Sequence, residues 1–190
     1  MPLSDSAMLA AIKEGEIQIS PFRARCMQPN SYDLHLGPTL LVYTDAVLDA
    51  KSPPQTQTYS IGPEGFVLQP GELYLGVTEE HTAADAKYVP YLDGKSSVGR
   101  LGLWVHVTAG GGDAGFAGNW TLELVAVKPL RIYAGMPIAQ IRYEAAIGTV
   151  SRPYGRSTSK YQGQPGVPVA SRMHKNYSQE RDSWLPVNDD

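Results

Sequence analysis

Trp120-Thr121-Leu122-Glu123-Leu124-Val125 decides the reading of the fold. Leu122 and Leu124 alternate with Thr121, Glu123 and Val125, the period-two pattern of a strand with one face toward a core. Working outward, short apolar or alternating runs recur at residues 40–43, 66–68, 73–78, 88–92, 103–107, 120–127 and 138–143. Turn residues separate them at intervals that suit a β-sandwich or barrel. One helix stands apart at the N-terminus. Ser4-Asp5-Ser6 offers N-cap oxygens, Met8, Leu9, Ala11 and Ile12 recur at helical spacing, and Gly15 ends the segment. Residues 16–19 then alternate as a short strand, and no later helix is expected. Residues 51–58 (KSPPQTQT) read as a loop. Residues 67–75 and 131–138 share a strand-glycine-strand grammar and read as two independent hairpins.

Composition agrees with this pattern. The chain has 190 residues, 42% of them apolar, enough for a sizeable core, with 18% charged, 19 Gly and 15 Pro. That mix favours an all-β fold over a helical one. The single cysteine, Cys26, excludes an internal disulfide framework and a cysteine-based zinc cluster. Net charge is −3, the wrong sign for a protein that grips long nucleic acid. No run is long enough to span a membrane, and the N-terminus lacks a signal-peptide layout. The expectation is a soluble cytoplasmic protein with no nucleic-acid or membrane partner.

Reactive side chains crowd residues 93–123. Gly94-Lys95-Ser96-Ser97-Val98-Gly99-Arg100 can turn hydroxyls, cations and backbone N–H groups onto one anion, although it lacks P-loop spacing and a polar turn explains it as well. His106-Val107-Thr108-Ala109-Gly110-Gly111-Gly112-Asp113 follows. Its glycines let backbone approach a ligand, and Asp113 could accept a sugar hydroxyl or orient water; a flexible loop with a solvated Asp is the plainer reading. Glu123 is an acid within a strand built for burial. Apolar neighbours would raise its pKa and suit it to pass protons, whereas a solvated sheet face would leave it ordinary. His35, His81, His106 and His174 show no metal-ligand spacing, and His106 reads as a hydrogen-bonded core histidine. Past residue 151, Pro153-Tyr154-Gly155-Arg156 and Ser159-Lys160-Tyr161-Gln162-Gly163-Gln164 interleave aromatics, cations and amides. They read either as a nucleotide lid or as a basic tail ordered against another subunit.

Taken together, residues 94–102, His106-Val107-Thr108-Ala109, Asp113-Ala114-Gly115-Phe116-Ala117-Gly118, Thr121-Leu122-Glu123, the N-terminal residues 28–37 and Lys160-Tyr161-Gln162-Gly163-Gln164 resemble the dCTP deaminase family, a branch of the dUTPase superfamily. The resemblance implies an all-β distorted jelly roll or barrel with a short N-terminal helix, assembled as a homotrimer with sites between subunits. It places one dUTPase-like domain at residues 1–172 and a polar tail at 173–190. It implies conversion of dCTP to dUTP and ammonia, with Mg²⁺ carried by the triphosphate. Bifunctional members continue to dUMP and pyrophosphate. Gly110 after Ala109, Asp113-Ala114-Gly115-Phe116 and Val125-Ala126 bring the chain nearer to those members. A monofunctional deaminase, a dUTPase alone and a silent nucleotide-binding regulator are the alternatives. dTTP is the feedback inhibitor implied, and the compartment becomes host cytoplasm if the source is viral.

Zinc deaminases need thiolates that this chain lacks, so the resemblance assigns proton transfer to Glu123. Ser96, Arg100 and the Ala109 backbone would hold water and the tetrahedral centre. Lys95, Ser97, Val98 and Gly99 would bind phosphates with Arg100. Backbone at Thr121 and Leu122 would read the base, and Asp113 would face the 3′-hydroxyl or orient a second water. Gln140, Tyr154, Lys160 and Gln164 would close over the nucleotide. The family usually carries a bulky residue and an isoleucine where Gly111 and Gly112 stand. Their loss is expected to loosen the loop and open room for a 5-substituted cytosine, unless neighbours compensate.

Overall fold

The computed structural model describes residues 1–106, 108–155 and 159–177. Its elements are mostly strands, as the alternation requires. Helix α1 (Asp5–Lys13) begins where Ser4 Oγ accepts the Ala7 N–H at 3.3 Å, and it buries Met8 and Ala11. Gly15, at φ +78°, turns the chain out of the helix into β1 (Ile17–Ser20). There follow β2 (Met27–Gln28), β3 (Ser31–His35), β4 (Thr39–Tyr43), β5 (Thr56–Ser60), β6 (Phe66–Leu68), β7 (Tyr74–Ala84) and β8 (Tyr88–Gly94). One helical turn, α2 (Ser96–Gly99), precedes β9 (Leu103–Trp104), β10 (Ala117–Ala126), β11 (Leu130–Ile132) and β12 (Pro137–Ala145).

Three sheets result. The largest runs β5-β4-β7-β10-β9, with β1 also on β7; a second runs β2-β3-β12-β8; β6 and β11 form a small third. The long strand β7 organises the first. β10 occupies one edge, and β4 and β1 share the other, with Leu41 opposite Leu75 and Ile17 opposite Ala84. The core lies between the sheets, where Leu34, Leu36, Leu122, Leu124, Ile138 and Ile141 are fully buried.

Four local expectations change. Residues 67–75 and 131–138 are not two hairpins: β6 pairs with β11, Leu68 opposite Leu130, while β7 and β12 leave for the larger sheets. Their glycines, Gly71 and Gly135, pass the chain between sheets. The loop at 51–58 ends early, because Thr56–Ser60 pairs with β4 as an exposed polar edge. A helix does occur after α1, the single turn α2, whose Val98 is buried under exposed neighbours. Of residues 103–107 only Leu103–Trp104 pairs as strand, and Val107 lies outside the described residues. At the other end, Met173–Asn176 forms a 3₁₀ turn; residues 178–190 of the expected tail lie outside the described residues.

Candidate active site

Strand β10 delivers the key carboxylate as its alternation dictates. Leu122 and Leu124 are fully buried, and Glu123 sits half-buried on the opposite face with Thr121 and Val125. That face opens into a cavity of about 360 Å³, which also takes in Ala109, Asp113, Tyr154 and Gln164. Above Glu123 the strand bulges between Asn119 and Thr121, and side chains take up the displaced backbone groups. The Trp120 N–H donates to Thr78 Oγ1 at 2.9 Å, and Asn119 Nδ2 donates to the Thr78 carbonyl at 2.9 Å.

The segment after residue 151 folds back as a strap over this cavity. Gln164 bridges to Gly118 in parallel, and its carbonyl accepts the Asn119 N–H at 3.0 Å. Gly118 stands at φ +154°, and a Cβ there would lie 2.7 Å from the Gln164 nitrogen, so glycine alone allows the crossing. Thr121 Oγ1 then donates to Gln164 Oε1 at 2.7 Å and accepts the Val169 N–H at 3.1 Å. Tyr43 OH accepts the Ser171 N–H at 2.9 Å. Burial pushes the Tyr43 phenol above its ordinary value, and the nearby charges of Tyr161 and Glu123 add to that.

The remaining predicted residues divide into those beside this cavity and those away from it. Asp113 is exposed at the rim, and the buried Leu122 side chain leaves only backbone for a ligand. Ser96, Ser97, Gly99 and Arg100 are exposed on and beside α2. Ser96 and Lys95 line a second, open cavity of about 510 Å³, while Lys95 Nζ pairs with Asp33 at 2.5 Å. Gln140 lies on β12 opposite Asp93, accepting from Ser31 Oγ at 3.3 Å, away from the strap. Lys160 Nζ donates to Asn176 Oδ1 at 3.1 Å, and Arg156 lies outside the described residues. One chain therefore gathers Glu123, Ala109, Asp113, Thr121, Tyr154 and Gln164 around one cavity, and sets Ser96 on the other.

His106 lines both cavities. It is not a hydrogen-bonded core histidine: Nδ1 and Nε2 are both sealed from solvent without a partner among the described residues. Burial depresses its pKa below the ordinary 6.5, although Glu123 and Asp93 pull the other way. Below about 6.5 the unfolded chain takes a proton that the folded chain refuses, so stability falls as pH drops. Melting curves from pH 8 to 5.5 should show the parent losing more stability than His106→Asn. Parallel profiles would contradict this.

The grouping that best resembles a cation site is His35, Glu79 and Glu80, and Arg23 already fills it. Its guanidinium donates to Glu80 at 2.6 Å and Glu79 at 2.9 Å, and His35 Nδ1 lies 2.7 Å from Glu80. Tyr43, Phe116, Trp120, Val169 and Ser171 also line the Glu123 cavity, and sequence reasoning assigned them no part in it. Tyr43 and Trp120 look like ordinary strand residues, and only the fold brings them here.

A β scaffold with a carboxylate inside an aromatic-walled cleft and a strap across it has the form of a small-molecule site. The family model described as dCTP deaminase-like matches residues 2–146. A Clostridium acetobutylicum protein named "dCTP deaminase, dUMP-forming" is 48% identical over 162 residues, 85% of this chain and 91% of that one. One of the same name from Hathewaya histolytica is 50% identical over 153 residues, 80% of this chain and 86% of that one. The crystal structure of 2′-deoxycytidine 5′-triphosphate deaminase from Agrobacterium tumefaciens superposes with a TM-score of 0.62 at 22% identity, covering 78% of this chain. The match spans about half of that solved chain (49%) and speaks for the fold. The chain belongs to the dCTP deaminase-like family.

Proposed function

We propose that the protein hydrolyses dCTP to dUTP and ammonia and carries the product on to dUMP and pyrophosphate. The observation that carries this reading is Glu123, half-buried on β10 within the cavity that also holds Asp113 and the Thr121–Gln164 pair. The names of the relatives support the dUMP-forming second step.

In the first step Glu123 takes a proton from water as its oxygen bonds to C4 of the cytosine, and passes it to ring N3. The second proton of that water reaches the amino group, the C4–N bond breaks, and ammonia leaves as the uracil carbonyl forms. Ser96, Arg100 and the Ala109 backbone stabilise the tetrahedral centre. Mg²⁺ enters with the triphosphate as part of the substrate. In the second step Asp113 orients water toward the α-phosphorus, releasing pyrophosphate. Lys95, Ser97, Val98 and Gly99 bind phosphates, Thr121 and Leu122 backbone reads the base, and Tyr154, Lys160 and Gln164 close over it. Gln140, on the other sheet, serves a neighbouring subunit's site in this scheme.

We read the site as completed by another copy, as the resemblance implies, with Ser96 on a different cavity from Glu123. An exposed apolar patch of Leu101, Trp104 and Val127 lies beside α2 and supports a homotrimer with shared sites. No helix among the described residues is long and apolar enough to cross a membrane, and we place the enzyme in the cytoplasm, with residues 1–172 as one domain.

The test is to incubate the protein with dCTP and Mg²⁺ and resolve dCTP, dUTP, dUMP and pyrophosphate over time, with and without dTTP. dUMP is expected. dUTP alone would restrict the enzyme to deamination, and dUMP only from added dUTP would overturn the deaminase reading. Asp113→Asn should still consume dCTP but accumulate dUTP; parental dUMP formation would remove the role given to Asp113.

A further inference from the structure

The loop between Ala109 and Asp113 is not loose. Its backbone lies along β8: the Leu92 N–H donates to the Gly110 carbonyl at 2.7 Å, and the Gly112 N–H donates to the Pro90 carbonyl at 2.9 Å. A Cβ on Gly110 would lie 2.5 Å from the Leu92 oxygen. A Cβ on Gly112 would lie 2.4 Å from Trp120 Cη2 and 2.9 Å from Pro90 Cγ. Gly111 alone has room, with Tyr91 at 3.5 Å. The expectation of a loosened loop and an opened pocket therefore fails at Gly112, where the indole fills the space.

Trp120 cannot easily give way. Its Nε1 donates to Thr82 Oγ1 at 2.8 Å, its ring packs on Phe116 with centroids 4.3 Å apart, and its own N–H is held by Thr78 at the bulge. The same indole lines the Glu123 cavity, on the side where the glycine loop ends in Asp113.

We propose that Trp120 and Gly112 form an interlock that fixes the Ala109–Asp113 loop against the cavity, making Trp120 the positioning residue for Asp113. The inference rests on the function proposed above. Through this contact β10 sets both Glu123 and, indirectly, the group that faces the nucleotide sugar. Rigid loop placement matters because small displacements of a positioning group weaken catalysis strongly.

The test is a double-mutant cycle of Gly112→Ala, Trp120→Leu and the pair, read by kcat and KM for dCTP and by the ratio of dUTP to dUMP formed. Gly112→Ala should raise KM about ten-fold and shift products toward dUTP, with kcat for ammonia release much less affected. Trp120→Leu should do the same by leaving the loop unsupported. The double variant, in which the smaller side chain makes room for the new methyl group, should recover KM and product ratio to within about three-fold of the parent. Penalties that simply multiply, or a product ratio unmoved while only the melting temperature falls, would overturn the interlock. If Gly112→Ala does not fold, a double variant that folds with parental KM supports the proposal, and one that also fails to fold sinks it. A parent that neither binds nor turns over dCTP would instead defeat the proposed function itself.

Discussion

Glu123→Gln is expected to bind dCTP as the parent does and to release almost no ammonia. The substitution keeps the size and leaves Leu122 and Leu124 buried on the opposite face of β10, so neither register nor cavity shape should change. It removes the group that the proposed mechanism has accept a proton from water, and general acid–base groups contribute roughly 10²–10⁴-fold. Ammonia release read against calorimetric binding of dCTP with Mg²⁺ separates the two effects. Turnover within about ten-fold of the parent would end the assignment, since the loss expected of a general base is larger.

The second large effect concerns two inactive variants together. Arg100→Ala and Glu123→Gln, each silent alone, should regain activity when unfolded and refolded as a mixture. If Glu123 of one copy faces Ser96 and Arg100 of the next, an equal mixture rebuilds about a quarter of the sites with both groups intact. Ser96 and Glu123 line different cavities of a single chain, with His106 common to both. Mixtures as silent as their components would overturn the shared site. If copies meet at the exposed apolar side chains around Trp104, Trp104→Glu should separate them and abolish activity in the same step.

How much of this was legible follows from what sequence patterns encode. Leu122 and Leu124 announce β10 and the orientation of Glu123, because alternation and burial are the same fact seen twice. α1 announces itself through its cap. β3 does not, because Ser31, Asp33 and His35 are buried along with Tyr32 and Leu34, with polar partners supplied by β7, β12 and Lys95. β6 and β11 looked like halves of separate hairpins because pairing between distant segments leaves no local trace. The glycine loop is the instructive case, where compensation by a neighbour is the alternative that the structure favours. A small residue reports that something is absent from its own position, and only the fold reveals that Trp120 has taken the space. The motifs named Glu123, Asp113 and Gln164, which the fold brings to one cavity, and Ser96, which it sets on another.

The strap has a consequence for the order in which the enzyme comes into being. Its contacts with the rest of the site are distant along the chain: Thr121 to Gln164 spans 43 positions, Thr121 to Val169 spans 48, and Tyr43 to Ser171 spans 128. During synthesis, a nascent chain that has emerged as far as Ala145 already contains every strand of the described residues. Its Glu123 is still uncovered at that stage. The cover over Glu123 arrives only when residues 159–171 have followed.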